Sequence, residues 1–375
     1  MPVTDVQALI DNRVAAIEQY HQDAHVPRAE LDLSGGLDSA VMAGLLTLAV
    51  GPERLTLVHS RIDTNPKQTA RAQALADGLG VPMANGDYTR ICDHLIKEAV
   101  NSLVNGVNRF SNGPTSVAHS PGESFRREIQ ERINKDPTII GSIRSCLRAP
   151  IGRACNRLMG GGIRHGTGNE CEDRFLRYYQ KGGDGEVDTN PLAMLSKTEV
   201  FQLAWGLGER FPKARQAYID TIKAKPSADL WGTGDDHSDE TEVRRWLKVP
   251  FTYGSIDPET GRVTSFGTIE RVSRFLDNSM GGHPVRFPQQ ILFGNAEIHD
   301  GLWREMADFS QDDGFFPWED FTPVEVVSFL MAARYAEKTT RHKLNPNIPT
   351  LGTRQELVEQ GLLSNELTLE EESCE

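Results

Sequence analysis

The stretch LDLSGGLDSA, Leu31 to Ala40, joins a short apolar alternation to a long apolar run, AVMAGLLTLAV. The alternation predicts a strand over Ala29–Leu33. The run over Asp38–Val50 is apolar almost all round and predicts a buried helix. Between them, Ser34, Gly35 and Gly36 allow successive backbone N–H groups to point into one concavity, and the helix start adds the positive end of its dipole. Such a turn suits a phosphate or pyrophosphate, with hydroxyl donors from Ser34 and Ser39. Asp38 is itself an anion and fits beside a phosphate only through a bridging Mg2+. The turn lacks the Gly-Lys-Ser/Thr ending of a Walker A loop and is not GxGxxG. Taken alone, a tight strand–helix turn with capping serines accounts for it equally well.

Outward from this turn, strands and helices alternate. Val6, Leu9, Ile10, Val14 and Ile17 are spaced as one face of a helix over residues 4–20. LTLVHS at Leu55–Ser60 reads as a second strand. PKQTARAQALADGLG reads as a helix ended by Gly78 or Gly80. Further helices are expected at Phe125–Asn134 and Ser142–Met159, and GGGIRHGTGN reads as a strand-to-loop passage. Glu30 and Asp32 are unusual for a strand buried on both faces. Asn105–Ser124 is rich in Gly, Ser, Asn and Pro and predicts a mobile loop. The alternation implies an α/β fold, doubly wound, with a mostly parallel sheet and helices on both faces. No internal repeat is present. Residues from about 255 to 320 are turn-rich and read as an insertion in a single domain spanning residues 1–375.

The chain has 375 residues and a net charge of −13, which argues against broad nucleic-acid binding. Five cysteines form no CxxC pair, so thiols in a cytoplasmic protein are expected. The N-terminus has no cationic start followed by an apolar segment, and no apolar run approaches the ~20 residues of a membrane span.

The order SGGxDS on a strand-to-helix turn resembles the pyrophosphate loop of the N-type ATP pyrophosphatases, whose fold is adenine nucleotide alpha hydrolase-like. A second passage narrows this. Gly166–Val200 contains Gly166-Thr167 followed by Glu172, then GDGEVD with NP after it, then Ser196-Lys197-Thr198. That order resembles ammonia-dependent NAD synthetase. KPSADLW (Lys225–Trp231), SDETE (Ser238–Glu242) and RHKLNPNIP (Arg341–Pro349) continue the resemblance.

The resemblance implies a homodimer that takes ATP, deamido-NAD and ammonia and passes through an acyl-adenylate. It implies ATP contacts at Ser34, Gly35, Gly36, Leu37, Asp38, Ser39, Arg61, Gln68, Thr167, Lys197 and Ser227. Asp38 and Glu172 are implied as Mg2+ ligands, and Asp38, Lys197 and Thr167 as the catalytic group. Lys181, Asp188, His342 and Lys343 match positions that contact deamido-NAD; Lys181 fits only with a one-residue insertion before GDG. The family's Asn-x-x-Ala-Arg-x-Arg run is SIRSCLR here, with Cys146 where the first Arg stands, so Arg148 or Arg144 is expected to serve the same phosphate. Arg61 and Gln68 have altered spacing, and the 255–320 block has no counterpart in compact members. These departures spare the ATP half and touch the acid half.

Three alternatives follow: a related amide synthetase acting on another carboxylic acid, a tRNA-thiolating relative, and a nucleotide-binding protein without turnover. The absent cysteine pairs and the acidic charge oppose the tRNA reading. Only 33 residues precede Ser34, which leaves no room for a glutamine amidase domain, so free ammonia is the expected donor and a separate glutaminase subunit is not indicated.

Overall fold

A computed structural model describes residues 3–110, 121–228, 230, 238–249, 251–271, 273, 274, 332, 335, 336, 339, 340, 343 and 349–365. In chain order these form α1 (Val6–Ala24), β1 (Ala29–Asp32), α2 (Leu37–Val50), β2 (Leu55–Arg61) and α3 (Pro66–Leu79). β3 (Met83–Asp87), α4 (Thr89–Phe110), α5 (Pro121–Lys135), α6 (Thr138–Leu158) and β4 (Ile163–Arg164) follow. Then come α7 (Lys197–Arg210), α8 (Arg215–Lys223), α9 (Asp239–Leu247), β5 (Ser255–Ile256), β6 (Val263–Ser265) and α10 (Arg354–Glu359).

Strands β1 to β4 make a parallel sheet in the order β3-β2-β1-β4. Ala29 pairs with Leu55 on one side and with Ile163 on the other. The chain therefore leaves β1 toward β2 and β3, and later returns to lay β4 against the opposite edge of β1. The loops after β1 and β4 diverge at their C-terminal ends, which is where open α/β sheets bind ligands.

Successive residues of β1 point to opposite faces. Leu31 and Leu33 join the core with α2, which packs on α1, α7 and α8. Tyr218 of α8 donates to the Ala40 carbonyl at 3.3 Å. Glu30 and Asp32 face the other way, toward α6, where both accept from the buried Arg164 guanidinium of β4. A Cβ on Gly152 of α6 would overlap that guanidinium. Burial raises the Glu30 pKa to about 7 despite the pull of Arg164. The two acids that look out of place in a buried strand are thus held by the fork of a neighbouring arginine.

The observed elements follow the sequence expectations closely in the first sixty residues. α3 is capped by Asn65, which accepts from Lys67 N–H at 2.9 Å, and it ends at Gly80 in the left-handed region (φ 71°). The described ends of the loop expected at Asn105–Ser124 are helical, α4 continuing to Phe110 and α5 beginning at Pro121, and the rest of that expectation, residues 111–120, lies outside the described residues. The two helices bond to each other through Gly122 N–H to Asn108 (2.9 Å) and Arg126 to Asn101 (3.1 Å), so their Asn and Gly residues serve a helix pair. β3, Met-Ala-Asn-Gly-Asp, is a half-exposed edge strand with no apolar alternation to announce it.

Of the 255–320 block, the described part forms the antiparallel pair β5–β6 and a helical stretch at 268–271 and 273–274, with β5 packed on α7. Arg354 of α10 bonds both oxygens of the buried Glu199 at 2.7 and 2.8 Å, joining the C-terminal part of the chain to the start of α7. Among the described residues, no helix is long and apolar enough to cross a membrane.

Candidate active site

The turn between β1 and α2 is fixed by its own hydroxyls. Ser34 N–H donates to Ser39 Oγ (3.2 Å), Gly36 N–H donates to Ser34 Oγ (3.2 Å), and the two hydroxyls lie 2.9 Å apart. Gly35 has φ 84°, and a Cβ there would overlap the carbonyl of Gln68 in α3, so glycine is required twice over. Arg71 Nε holds the Gly35 carbonyl at 2.9 Å. Gly36 caps α2 and has no side chain to occupy the first helical amides. This is the geometry of an anion site.

Asp38, in the first turn of α2, meets the start of α7. Lys197 Nζ donates to Asp38 Oδ2 at 2.5 Å and to Glu172 Oε1 at 3.2 Å. Lys197 is 1% exposed, whereas Asp38 and Glu172 keep 16% and 19%, so the carboxylates form the open side of the cluster. Ser196 and Glu199 form a reciprocal capping box that begins α7 at Lys197. Glu172 sits on a single π-helical turn, Cys171–Leu176. Asn169 joins the two acids: its amide donates to Asp38 at 3.1 Å, and its oxygen accepts from the N–H groups of Cys171 (3.0 Å) and Glu172 (3.3 Å). Tyr253 covers Lys197 with its ring centroid 5.1 Å from Nζ.

The cluster carries surplus negative charge. Burial raises Glu172 to about 8, and Asp38 pushes the same way against Lys197. Burial also raises Asp239 to about 6. Burial alone would lower the Lys197 pKa, but Asp38, Glu172 and Asp239 outweigh it and hold the ammonium charged. Two hard carboxylates on the open side of such a cluster fit Mg2+. Among the described residues no group of three or more His, Cys, Asp or Glu is placed to hold a metal ion.

Asp239, the first residue of α9, clamps the segment that carries Ser227. Its N–H donates to the Pro226 carbonyl (3.0 Å), and its Oδ1 accepts from Ala228 N–H (3.0 Å). Thr167 lies half-buried in the loop after β4. Gln68 lies against Gly35 through its backbone, whereas Arg61 reaches Asp87 at 4.0 Å on the sheet edge.

Among the described residues, those matched to the acid half bond to other parts of the chain. Arg144 pairs with Asp63 (2.7 Å) and donates to the Leu230 carbonyl (3.0 Å), and Arg148 donates to the Ala228 carbonyl at 3.4 Å. Both thus bind backbone carbonyls that follow Ser227. Asp188 is paired with Arg153 (2.9 and 3.0 Å) and accepts from Arg164 N–H (2.8 Å). Burial works to raise the Asp188 pKa, but these donors outweigh it and hold it low. The Gly-Asp-Gly turn packs on α6, with Ser145 donating to Asp184 at 2.7 Å, and exposed Lys181 precedes it. Lys343 donates to the carbonyls of Arg177 (2.9 Å) and Tyr179 (2.5 Å). His342 lies outside the described residues.

Sequence reasoning passed over Asn169, Asp239 and Tyr253. Asn169 stands between Thr167 and Glu172 in the quoted passage, where an Asn before acids signals only a turn. Asp239 follows Ser238, where it signals only a helix start.

The sequence profile of the NAD synthase family matches residues 9–110 and 123–258. The NH(3)-dependent NAD(+) synthetase of Pyrococcus horikoshii is 30% identical over 270 residues, covering 69% of this chain and 85% of that protein. The protein of the same name from Methanosarcina acetivorans is 30% identical over 246 residues, covering 64% and 78%. Among solved structures, the NMN synthetase of Francisella tularensis shares the fold with a TM-score of 0.51 at 17% identity, over 92% of this chain and 99% of that one.

Proposed function

The chain belongs to the NAD synthase family, and from that membership and the cluster around Lys197 we propose that it amidates deamido-NAD to NAD with ATP and ammonia. The nicotinate carboxylate attacks the α-phosphorus of ATP, and the bond to the β-phosphate breaks to release pyrophosphate. Ammonia then adds to the acyl carbon of the adenylate, AMP leaves, and one proton is lost. The observation that carries this reading is Lys197, whose ammonium joins Asp38 of the Ser-Gly-Gly turn to Glu172.

In the first step two anions approach, so cations and N–H donors must offset their repulsion. The amides of the turn and the hydroxyls of Ser34 and Ser39 hold the departing pyrophosphate. Lys197 neutralises charge on the transferring phosphoryl group, and Thr167 and Ser227 contact ATP. Asp38 and Glu172 would hold Mg2+, which supplies further neutralisation of the triphosphate. Lys181, Asp188, Arg148 and Lys343 are our candidates for contacts to the acid, as is His342, which lies outside the described residues.

We read the setting as cytoplasmic, which suits a biosynthetic ligase that draws on ATP. α4 leaves Ile91, Leu95 and Leu103 about half exposed and Phe110 almost wholly so, which supports a homodimer through that helix. Light scattering at the monomer mass would contradict it. The names of the relatives support free ammonia as the nitrogen donor, and turnover of pure glutamine by the isolated chain would contradict that.

A second reading keeps the chemistry and changes the acid. Arg144 and Asp188 are held in ion pairs and Arg148 donates to a backbone carbonyl, so these residues are engaged with the chain itself. The Francisella tularensis fold, which spans nearly the whole chain, belongs to an NMN synthetase and supports nicotinate mononucleotide as the alternative acid. The test is ATP, Mg2+ and ammonium with each acid in turn. Pyrophosphate and NAD from deamido-NAD are expected. Turnover of the mononucleotide alone would replace the first reading with the second, and turnover of neither would overturn both.

A further inference from the structure

The family match ends at residue 258, yet the chain beyond it reaches the foundations of the Lys197 cluster. Glu270 is 3% exposed and lies at the positive end of α7. Its Oε1 accepts from Thr198 N–H and its Oε2 from Thr198 Oγ1, both at 2.6 Å. Oε2 also accepts from Gly267 N–H at 2.9 Å, which ties the carboxylate to its own segment. Thr198 directly follows Lys197. Gly254 closes against the same place, since a Cβ there would overlap Thr198 Oγ1 and lie 2.7 Å from Glu270 Oε2. One turn further on, Arg274 forms a buried ion pair with Glu170, the two being 1% and 2% exposed. Glu170 precedes the π-helical turn that carries Glu172, and its N–H donates to the Leu195 carbonyl at 2.8 Å.

We propose that Glu270 and Arg274 are positioning residues of the ATP site: Glu270 sets Lys197 through Thr198, and Arg274 sets Glu172 through Glu170. This rests on the reading of Lys197 and Glu172 as ATP-site groups. The energetic argument is one of need. A lysine buried among three carboxylates stays productive only if its own backbone cannot retreat. The capping box fixes where α7 begins, and Glu270 fixes the next residue from the opposite side. A carboxylate that takes two bonds from one residue, an amide and a hydroxyl, fixes orientation as well as distance. The segment read as an insertion is, in its described part, a wall behind the catalytic cluster.

The test compares Glu270→Gln, Thr198→Val, their double variant and Lys197→Met. The readouts are steady-state pyrophosphate release, the KM for ammonium, calorimetric binding of a non-hydrolysable ATP analogue, and thermal melting. Glu270→Gln is expected to lower kcat about 10- to 100-fold, as a small misplacement of a catalytic group does, with the KM for ammonium unchanged. Because Glu270 acts through Thr198, the double variant should be no slower than the worse single variant. Wild-type kcat in folded Glu270→Gln overturns the inference, as does a double variant whose losses multiply. If Glu270→Gln does not fold, Thr198→Val decides: a folded variant with wild-type kcat overturns it, and a kcat loss at unchanged ammonium KM upholds it. Lys197→Met separates the layers. If it retains full activity and analogue binding, the ATP-site reading fails first. If it is inactive while Glu270→Gln is wild-type, only the positioning role falls.

Discussion

Lys197→Met preserves the length of the side chain and removes its charge. In the folded protein that leaves Asp38 and Glu172 facing each other with Asp239 behind them. Removing one partner of a buried ion pair costs about 3–5 kcal/mol, because the remaining charge has lost its compensation. Asp38 and Glu172 keep 16% and 19% exposure, so water relieves part of the repulsion. We therefore expect the lower end of that range, about 3 kcal/mol. The loss must also depend on pH. Glu172 already titrates near 8, and without the ammonium it holds its proton more tightly still. At pH 6 the variant has one negative charge fewer to accommodate, so the deficit is smaller there than at pH 9. Urea unfolding of the ligand-free protein at both values measures the difference. Loss of one charged donor at a transferring phosphoryl group costs about 10²–10³ in rate, which a pyrophosphate-release assay reads directly. Equal stability of variant and parent at both pH values, or an unchanged kcat, would refute the reasoning.

Four further outcomes are expected. Gly35→Ala places a side chain in the left-handed region and against the Gln68 carbonyl, costing about 1–3 kcal/mol from backbone strain alone; ATP-analogue calorimetry should show weakened binding, and parental affinity would count against the turn as an anion site. Asp239→Ala frees the Ala228 amide, and a bond to a charged acceptor is worth about 1.5–3 kcal/mol, so the KM for ATP should rise about tenfold or more; an unchanged KM would show that Ser227 does not depend on the clamp. Arg164→Leu leaves Glu30 and Asp32 without their shared cation and should cost about 3–5 kcal/mol in chemical denaturation, while a neutral result would place those acids among solvated groups. The folded Glu172 pKa of about 8 lies above its ordinary 4.5, so the folded chain holds a proton that the unfolded chain has released. That contribution to stability is complete at pH 4 and is lost as the pH rises through 8. Mg2+ needs the carboxylate, so the thermal shift produced by Mg2+ and an ATP analogue should be larger at pH 8.5 than at pH 6; the reverse order would remove Glu172 from the metal site.

Much of this is legible in the sequence where backbone geometry leaves few options. Gly35 must be glycine for its φ and for the closeness of Gln68, so the Ser-Gly-Gly turn reads clearly and fixes the β1–α2 junction. The first strands and helices carry clean periodicities, and they fall where the pattern puts them. β3 does not read, because an edge strand of Met-Ala-Asn-Gly-Asp has only one face to bury. Of the helices flanking 111–120, α5 reads over Phe125–Asn134, but its first turn and the end of α4 do not. Their Asn and Gly residues look like loop chemistry until Asn108 is seen holding the start of α5. Glu30 and Asp32 look wrong for a strand because their partner, Arg164, lies more than a hundred residues away.

The same distance in sequence explains why the two halves of the site differ in legibility. Asp38 and Lys197 are 159 residues apart, yet each has a local reason for its type: one opens a helix behind an anion turn, the other follows a capping serine. Their roles can be guessed before their contact is known, because the chemistry of a triphosphate does not change from one acid substrate to the next. Asn169, Tyr253 and Glu270 have no such local reason. Each is defined only by what the fold brings to it, an aspartate, an ammonium and a helix start. The acid side has the same character. Arg144 and Arg148 read as phosphate ligands in sequence and hold the carbonyls of Leu230 and Ala228 in the fold. A cation on a helix announces only that it will find an acceptor. Whether that acceptor is a substrate phosphate or the chain's own backbone is decided by packing, and so the nucleotide chemistry can be read from this sequence more securely than the acid it activates.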